Sequence, residues 1–219
     1  MMKWNKVGLS LSMFAMLALV GCKQKKVNPV AKATAAGKTK ADVQKTAKVP
    51  SGQGSDKALM LQGKRIAKST FLALKKELGK AMKQGGPTAA VKTCKVKATP
   101  VTAAMSKKHK VVISRVSHKA RNPQNAASVW ERALIAKYAA AKSAKKPLKP
   151  TLRKVKGKTV FYAPIALNNG LCLVCHGAPK TVIAPPLYKL IRSLYPNDKA
   201  VNFKLGEMRG LWKIEFAQK

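Results

Sequence analysis

Five residues in the last quarter of the chain, Cys172 to His176, constrain its fold and chemistry more than any other feature. They read Cys-Leu-Val-Cys-His, and Cys-x-x-Cys-His is the signature of c-type haem attachment. Two thiols three positions apart can reach the two vinyl groups of one porphyrin, and the adjacent His176 can bind its iron. A thioredoxin-like motif would need a βαβ unit, and a zinc site would need a second Cys or His pair at metal spacing. The sequence offers neither, so we expect one haem c attached covalently to Cys172 and Cys175.

Residues 1–21 have the pattern of a lipoprotein signal peptide. Lys3 and Lys6 precede an apolar run over 7–20 that is too short to span a bilayer. The run ends in Gly21-Cys22, which resembles a bacterial lipobox, although an ordinary signal peptide with a chance Cys is the alternative. We therefore expect Cys22 to carry lipid and to anchor the mature chain in a membrane. By resemblance to the sorting of such lipoproteins, Lys23 favours the periplasmic side of the outer membrane.

The segment from the lipidated Cys22 to Ser55 is predicted to be a disordered tether. It is rich in Lys, Ala, Thr and Gly and has no aromatic residue or periodic apolar face, so it cannot bury enough surface to order itself. Residues 56–219 remain as one folded, haem c-binding domain.

The charge of the chain is extreme: 45 Lys and Arg against 7 Asp and Glu give a net charge of +38. So few carboxylates argue against acid–base catalysis by paired Asp or Glu. The lysines are spread along the chain and are not clustered with aromatic residues, which argues against a nucleic-acid site. An acidic redox partner is one explanation of the charge, because opposite charges speed encounter.

The pattern of elements predicts an α+β fold, in which helices flank a small antiparallel sheet. We expect a helix capped by Ser55 and ended by Gly85-Gly86, and a second helix from Pro87 to Pro100 or a little beyond. A third helix through Trp130 and Tyr138 has Asn125 or Ser128 as its cap. The predicted strands are 111–113, 152–155, 159–162 and 210–216, with the middle two joined as a hairpin at Lys156-Gly157.

Cys94 is the cysteine left over after lipid and haem attachment. It can be a small buried hydrophobe or the second axial ligand of the iron. The alternatives are that the second axial ligand is His109, His118, Met105 or Met208, or that the iron has no sixth ligand. The residues alone leave these alternatives open.

Several blocks of sequence resemble a family of exported single-haem proteins with a PAS-like haem domain. They occur in the family's order, cover most of residues 56–219, and are Gly85-Gly86-Pro87 with Cys94, Ser114 to Ser117, Arg121-Asn122-Pro123, Trp130-Glu131, Cys172 to Gly177, Tyr195 to Ala200, and Arg209-Gly210. The resemblance implies a PAS-like sheet packed with helices. It also implies that Cys94 faces the haem iron.

Arg115 and Arg121 are candidate ligands of the haem propionates. Only 7 of the 45 basic residues are Arg, so two within one short window favour bidentate contacts to carboxylates. The alternative is that Arg115 and Arg121 lie on the surface and are solvated.

Iron with both axial positions filled by protein cannot activate dioxygen, so we expect no enzyme. A one-electron carrier tethered at the bacterial cell envelope is the first expectation. A haem-based redox or gas sensor is the second, and it would act through a partner protein because the chain ends at Lys219, just past its last predicted strand, without an output domain.

Overall fold

The computed structural model describes residues 53–217, and the predicted signal peptide, Cys22 and most of the tether lie outside this range. The described chain is α+β, with helices around one antiparallel sheet of four strands, as the sequence predicts. This architecture is compatible with a PAS-like fold. No helix within the described range has the length and apolar character needed to cross a membrane.

Helix α1 spans Gln53–His109 and is broken at the predicted Gly85-Gly86. Gly86 has φ of 61° and ψ of −155°, which a residue with a Cβ adopts only under strain. The helix begins before Ser55, so Ser55 lies inside it and the prediction of a cap there is wrong. After the break, α1 continues past Pro100, and the carbonyl that Pro100 leaves without a helical partner belongs to the exposed Val96.

The sheet consists of β1 (Val111–Val116), β2 (Thr151–Val155), β3 (Lys158–Ala166) and β4 (Met208–Phe216), in the order β1-β4-β3-β2. Neighbouring strands are all antiparallel. The hairpin between β2 and β3 turns at Lys156 and Gly157, both with positive φ, as predicted. A long connection carrying two further helices joins β3 to the central strand β4.

The two faces of the sheet bury alternate residues of β3, as expected for a strand. Phe161 packs with Ile66 of α1 on one face. Val160 and Tyr162 face the opposite way and pack with α2 (Val129–Ser143). Ser128 caps α2 through a capping box with Glu131, which settles the choice between the two predicted caps.

Two short helices lie in the connection before β4. A single turn, α3 (Leu173–His176), contains the Cys-x-x-Cys-His motif. Helix α4 (Pro185–Leu194) follows and was not predicted, although it begins with proline and has apolar residues at helical spacing; its buried residues are Leu187 and Ile191. These pack with Val91, so the part of α1 beyond its break, α4 and the turn α3 form one layer beside the sheet.

Candidate functional site

The Cys-x-x-Cys-His motif begins in a 3₁₀ turn, Gly170–Cys172, and ends in the helical turn α3. The side chain of Asn169 accepts a hydrogen bond from Leu171 N at 2.8 Å and so starts the turn. Residues three apart lie on one face of a helical turn. Cys172 and Cys175 therefore present free, half-buried thiols on one side. Burial raises the pKa of the Cys175 thiol, and the positive charge of Arg121 opposes that shift.

The geometry around His176 fixes its tautomer. Its Nδ1 lies 2.8 Å from the carbonyl oxygen of Ala200, which can only accept, so Nδ1 carries the proton and donates. Burial, followed by the charges of Arg209 and Arg121, holds the pKa of His176 well below its ordinary value of 6.5. The imidazole is therefore neutral, with the lone pair of Nε2 left to bind a metal.

The backbone on both sides of His176 is also held in place. Phe203 N donates to the carbonyl of His176, and Asn202 N donates to the carbonyl of Gly177, both at 2.9 Å. A Cβ on Gly177 would lie 2.7 Å from the carbonyl oxygen of Leu173 and still closer to Val182. Glycine at 177 thus lets the turn α3 close and Val182 pack against it.

Arg121 joins this turn to the following loop. Its Nη2 donates to the carbonyl of Cys175 and, at 3.3 Å, to the carbonyl of Ala200, which also accepts from His176. Asp198 Oδ2 lies 3.1 Å from the same nitrogen, and the Asp198 side chain has no exposed surface. Asp198 Oδ1 accepts from Ala200 N at 2.8 Å. The pair therefore supports the carbonyl that orients His176.

Two more guanidinium groups surround the same place. Arg209 Nη1 donates to Ser117 Oγ at 2.6 Å and to Lys119 O at 3.0 Å. Burial, followed by the charges of Arg121 and Arg115, lowers the pKa of Arg209 to about 10. Burial also lowers the pKa of Arg115, whose Cζ lies 5.9 Å from the ring centroid of Trp212.

The cluster carries more positive than negative charge. Arg115, Arg121 and Arg209 all act on His176, whereas Asp198 is the one carboxylate within residues 53–217 that forms an ion pair with any of the three. Arg121 Nε is buried and has no hydrogen-bond partner there. Such a surplus suits a ligand that carries two negative charges.

Cys94 lies at the same cluster. Its thiol senses the charges of Arg115 and Arg121, and its own charge would raise the pKa of Cys175. Solvent reaches the Cys94 residue, so it is not the buried hydrophobe that was one of the alternatives. The protein around the thiol nevertheless removes enough water to raise its pKa, against the opposing effect of the two arginines.

Three of the four competing axial ligands lie in other surroundings, whereas His118 lies beside His176. Met208 is buried in the core between the sheet and α2, and Met105 packs in the core on the opposite face. His109 Nε2 lies 3.2 Å from Ser69 Oγ. The His118 and His176 rings both contact the ring of Phe203 edge-on, with centroids 5.8 and 6.2 Å from it.

The six residues singled out from the sequence therefore meet in one place: Cys94, Arg115, Arg121, Cys172, Cys175 and His176. Sequence reasoning assigned no role to Arg209, Asp198, Ala200 or Phe203. Arg209 could have been noticed by the logic applied to Arg115 and Arg121, since arginine is scarce in this chain. The part of Ala200 could not, because its contribution is a backbone carbonyl.

Fold and site together define a class of protein: a small α+β domain, compatible with a PAS-like fold, that presents a Cys-x-x-Cys-His turn within an arginine cluster. The family model for Tll0287-like proteins matches residues 23–217, and the chain belongs to the Tll0287-like family. A solved structure described as the cyanobacterial heme-protein Tll0287 is 20% identical, with a TM-score of 0.51. The match covers 78% of this chain and 98% of that one. Comparison with curated proteins gives no match.

Proposed function

We propose that this protein is a c-type haem protein that transfers single electrons at the bacterial cell envelope. One haem would be held covalently by Cys172 and Cys175, and His176 and Cys94 would bind its iron. The observation that carries the proposal is the neutral His176, proton on Nδ1, in the same helical turn as two free thiols. Membership of the Tll0287-like family and the fold shared with a haem protein support it.

The residues of the site fit a haem. Its two propionates would neutralise the surplus charge of Arg115, Arg121 and Arg209, and the unpartnered Nε of Arg121 is a donor suited to a carboxylate. The bound haem would supply reversible one-electron chemistry at its iron.

The protein side of this chemistry is orientation and charge. His176 needs no deprotonation to bind iron through Nε2, because it is already neutral. The Ala200 carbonyl accepts hydrogen bonds from both His176 and Arg121. A carbonyl bonded to His176 alone would make the imidazole more basic, and the shared bond with the Arg121 guanidinium weakens that effect. The Cys94 thiol must lose its proton to bind iron; burial raises its pKa and disfavours the thiolate, and Arg115 and Arg121 oppose that shift only in part.

Two protein ligands would leave no open position for dioxygen, so we propose a carrier and not an enzyme. In the same proposal, Cys22 carries lipid and holds the protein on the periplasmic side of the outer membrane. The net charge of +38 suits an acidic redox partner.

The spectrum of the Cys94→Ala variant tests the ligand assignment. The ferric wild type should be low-spin, and the variant should become high-spin or acquire a substitute ligand. Met105→Ala and His109→Ala are matched controls that should leave the spectrum unchanged. A low-spin spectrum unchanged in Cys94→Ala would contradict the assignment.

A sensor is the second candidate function. Cys94 is accessible to solvent and desolvation raises the pKa of its thiol, which suits a ligand that a gas can displace. Carbon monoxide and nitric oxide separate the two functions. A carrier should bind neither in the reduced state and should exchange electrons rapidly with small redox mediators. Stoichiometric binding of either gas, with loss of the bond between Cys94 and the iron, would favour the sensor.

A further inference from the structure

A second group of basic side chains lies beside Asp198, outside the arginine cluster around His176. The segment after β1 and the loop after α4 border an open cavity of about 580 Å³. Its walls include Arg132, Arg192, Lys199 and Asn197. The function proposed above uses none of these residues.

Both arginines of this cavity are held by backbone carbonyls. Arg132 Nη1 donates to Ala127 O at 2.8 Å, and Arg192 Nη1 donates to Asp198 O at 3.2 Å. Both arginines are exposed and each is held by this one bond, so its other N–H groups remain free to bind a ligand.

The cavity also lacks a counter-charge. Neither Arg132 nor Arg192 forms an ion pair with any carboxylate of residues 53–217. Asp198 borders the cavity, but its side chain is fully buried and paired with Arg121. Lys199 adds a third positive charge to the wall.

The use of arginine here is selective. The chain has 38 Lys and only 7 Arg. Three of the seven surround His176 and two line this cavity, which leaves Arg65 and Arg153 elsewhere. Arginine exceeds lysine where an oxyanion is bound through two parallel hydrogen bonds.

We propose that this cavity binds an oxyanion of the phosphate class, either inorganic phosphate or a phosphate monoester. Arg132 and Arg192 grip the anion with their free N–H groups, and Lys199 adds charge. The volume lies within the range of small-molecule sites, about 300–1,000 Å³, so it has room for the organic part of a monoester beside Asn197. The proposed anion ligands are not the residues assigned to the haem, although Arg192 donates to the carbonyl of Asp198, which pairs with Arg121.

Isothermal titration calorimetry of the full-length protein tests the site. Inorganic phosphate and glycerol phosphate are titrated separately in chloride buffer of constant ionic strength, so that diffuse attraction to the +38 charge is screened equally. We expect saturable binding at one site for at least one of the two anions. The tighter of the two identifies the source of the phosphate group.

Variants locate that site. Arg132→Gln and Arg192→Gln should each weaken binding about tenfold or more, the loss expected for charge-assisted hydrogen bonds. Arg132→Lys keeps the charge but loses the planar guanidinium with its paired N–H donors, and should also weaken binding. Arg65→Gln and Arg153→Gln remove the same charge elsewhere and should leave it unchanged. Thermal melts confirm that each variant is folded.

The proposal is overturned if neither anion gives saturable binding, or if chloride competes as well as phosphate. It is also overturned if Arg65→Gln weakens binding as much as Arg132→Gln. A folded Arg132→Lys variant that binds the anion with wild-type affinity would show that the paired N–H donors of the guanidinium have no role in binding.

Discussion

Replacing Asp198 by Asn removes the counter-charge from the arginine cluster with almost no change of shape. The amide oxygen can still accept from Ala200 N, as Oδ1 does now at 2.8 Å. The ion pair with Arg121 at 3.1 Å is lost, although both partners remain enclosed, with 0% of the Asp198 side chain and 14% of the Arg121 side chain exposed. Arg209 then faces two cations without the carboxylate that now moderates the fall in its pKa.

The expected loss of stability is large in protein that has no haem. Removing one partner of a buried ion pair costs about 3–5 kcal/mol, because the remaining charge is buried and unpaired. For a domain of this size the melting temperature should fall by roughly 6–20 °C. With haem attached the loss should be smaller, because a propionate can take the place of the missing carboxylate beside Arg121.

Chemical denaturation of both forms measures this difference. The haem-free form is obtained by expressing the chain in the cytoplasm without the maturation machinery for c-type haem. Glu215→Gln is the matched control: its pairs with Lys213 and Lys158 are 3.5 and 3.9 Å long and partly exposed, so it should cost less than about 1 kcal/mol. An Asp198→Asn variant no less stable than Glu215→Gln in the haem-free form would refute the reasoning.

Glu131→Gln should destabilise the protein by about 1–3 kcal/mol at pH 7, since it removes the charge that pairs with Lys213 and that strengthens the hydrogen bond from Ser128 N, although the amide oxygen can still accept that bond. Burial would raise the pKa of Glu131, but hydrogen bonds and Lys213 outweigh it and lower the pKa below 4.5. The stability that ionised Glu131 contributes is therefore lost as the pH falls below 4.5. Urea melts should show the unfolding free energies of variant and wild type converging at such acidic pH. Gly177→Ala should distort the turn α3, because the new Cβ would lie too close to Val182 and to the carbonyl of Leu173, and the yield of haem-loaded protein should drop sharply relative to Gly79→Ala, where a Cβ meets no neighbour. Electron transfer to an acidic partner should slow steeply as salt rises, whereas stopped-flow rates independent of salt would leave the lysines unexplained.

The predictable parts of the fold are those with local causes. The break at Gly85-Gly86, the Ser128 cap and the hairpin at Lys156-Gly157 each depend on a few neighbouring residues, and the sequence predicts them. Helix α4 is an exception: Pro185 in its first turn and apolar residues at helical spacing are local signals that could have found it, although it also packs on the distant Val91. The continuation of α1 to His109 depends on distant contacts, since Met105 packs against the core formed by the sheet.

The candidate site divides in the same way. The helical turn from Cys172 to His176 is a local motif and is evident from the sequence. Its support is not local: Arg121 reaches Cys175 and Ala200 across 54 and 79 positions of the chain. No spacing rule connects residues so distant, so the support for His176 became visible only in the folded chain.

Covalent attachment of one haem is the central claim, and intact mass spectrometry after acid–acetone extraction tests it most directly. The protein is matured in a host that attaches c-type haem. The extracted polypeptide should retain the mass of one haem and lose it only when Cys172 and Cys175 are both replaced. Haem that partitions into the solvent, leaving the mass of the bare chain, would contradict the account.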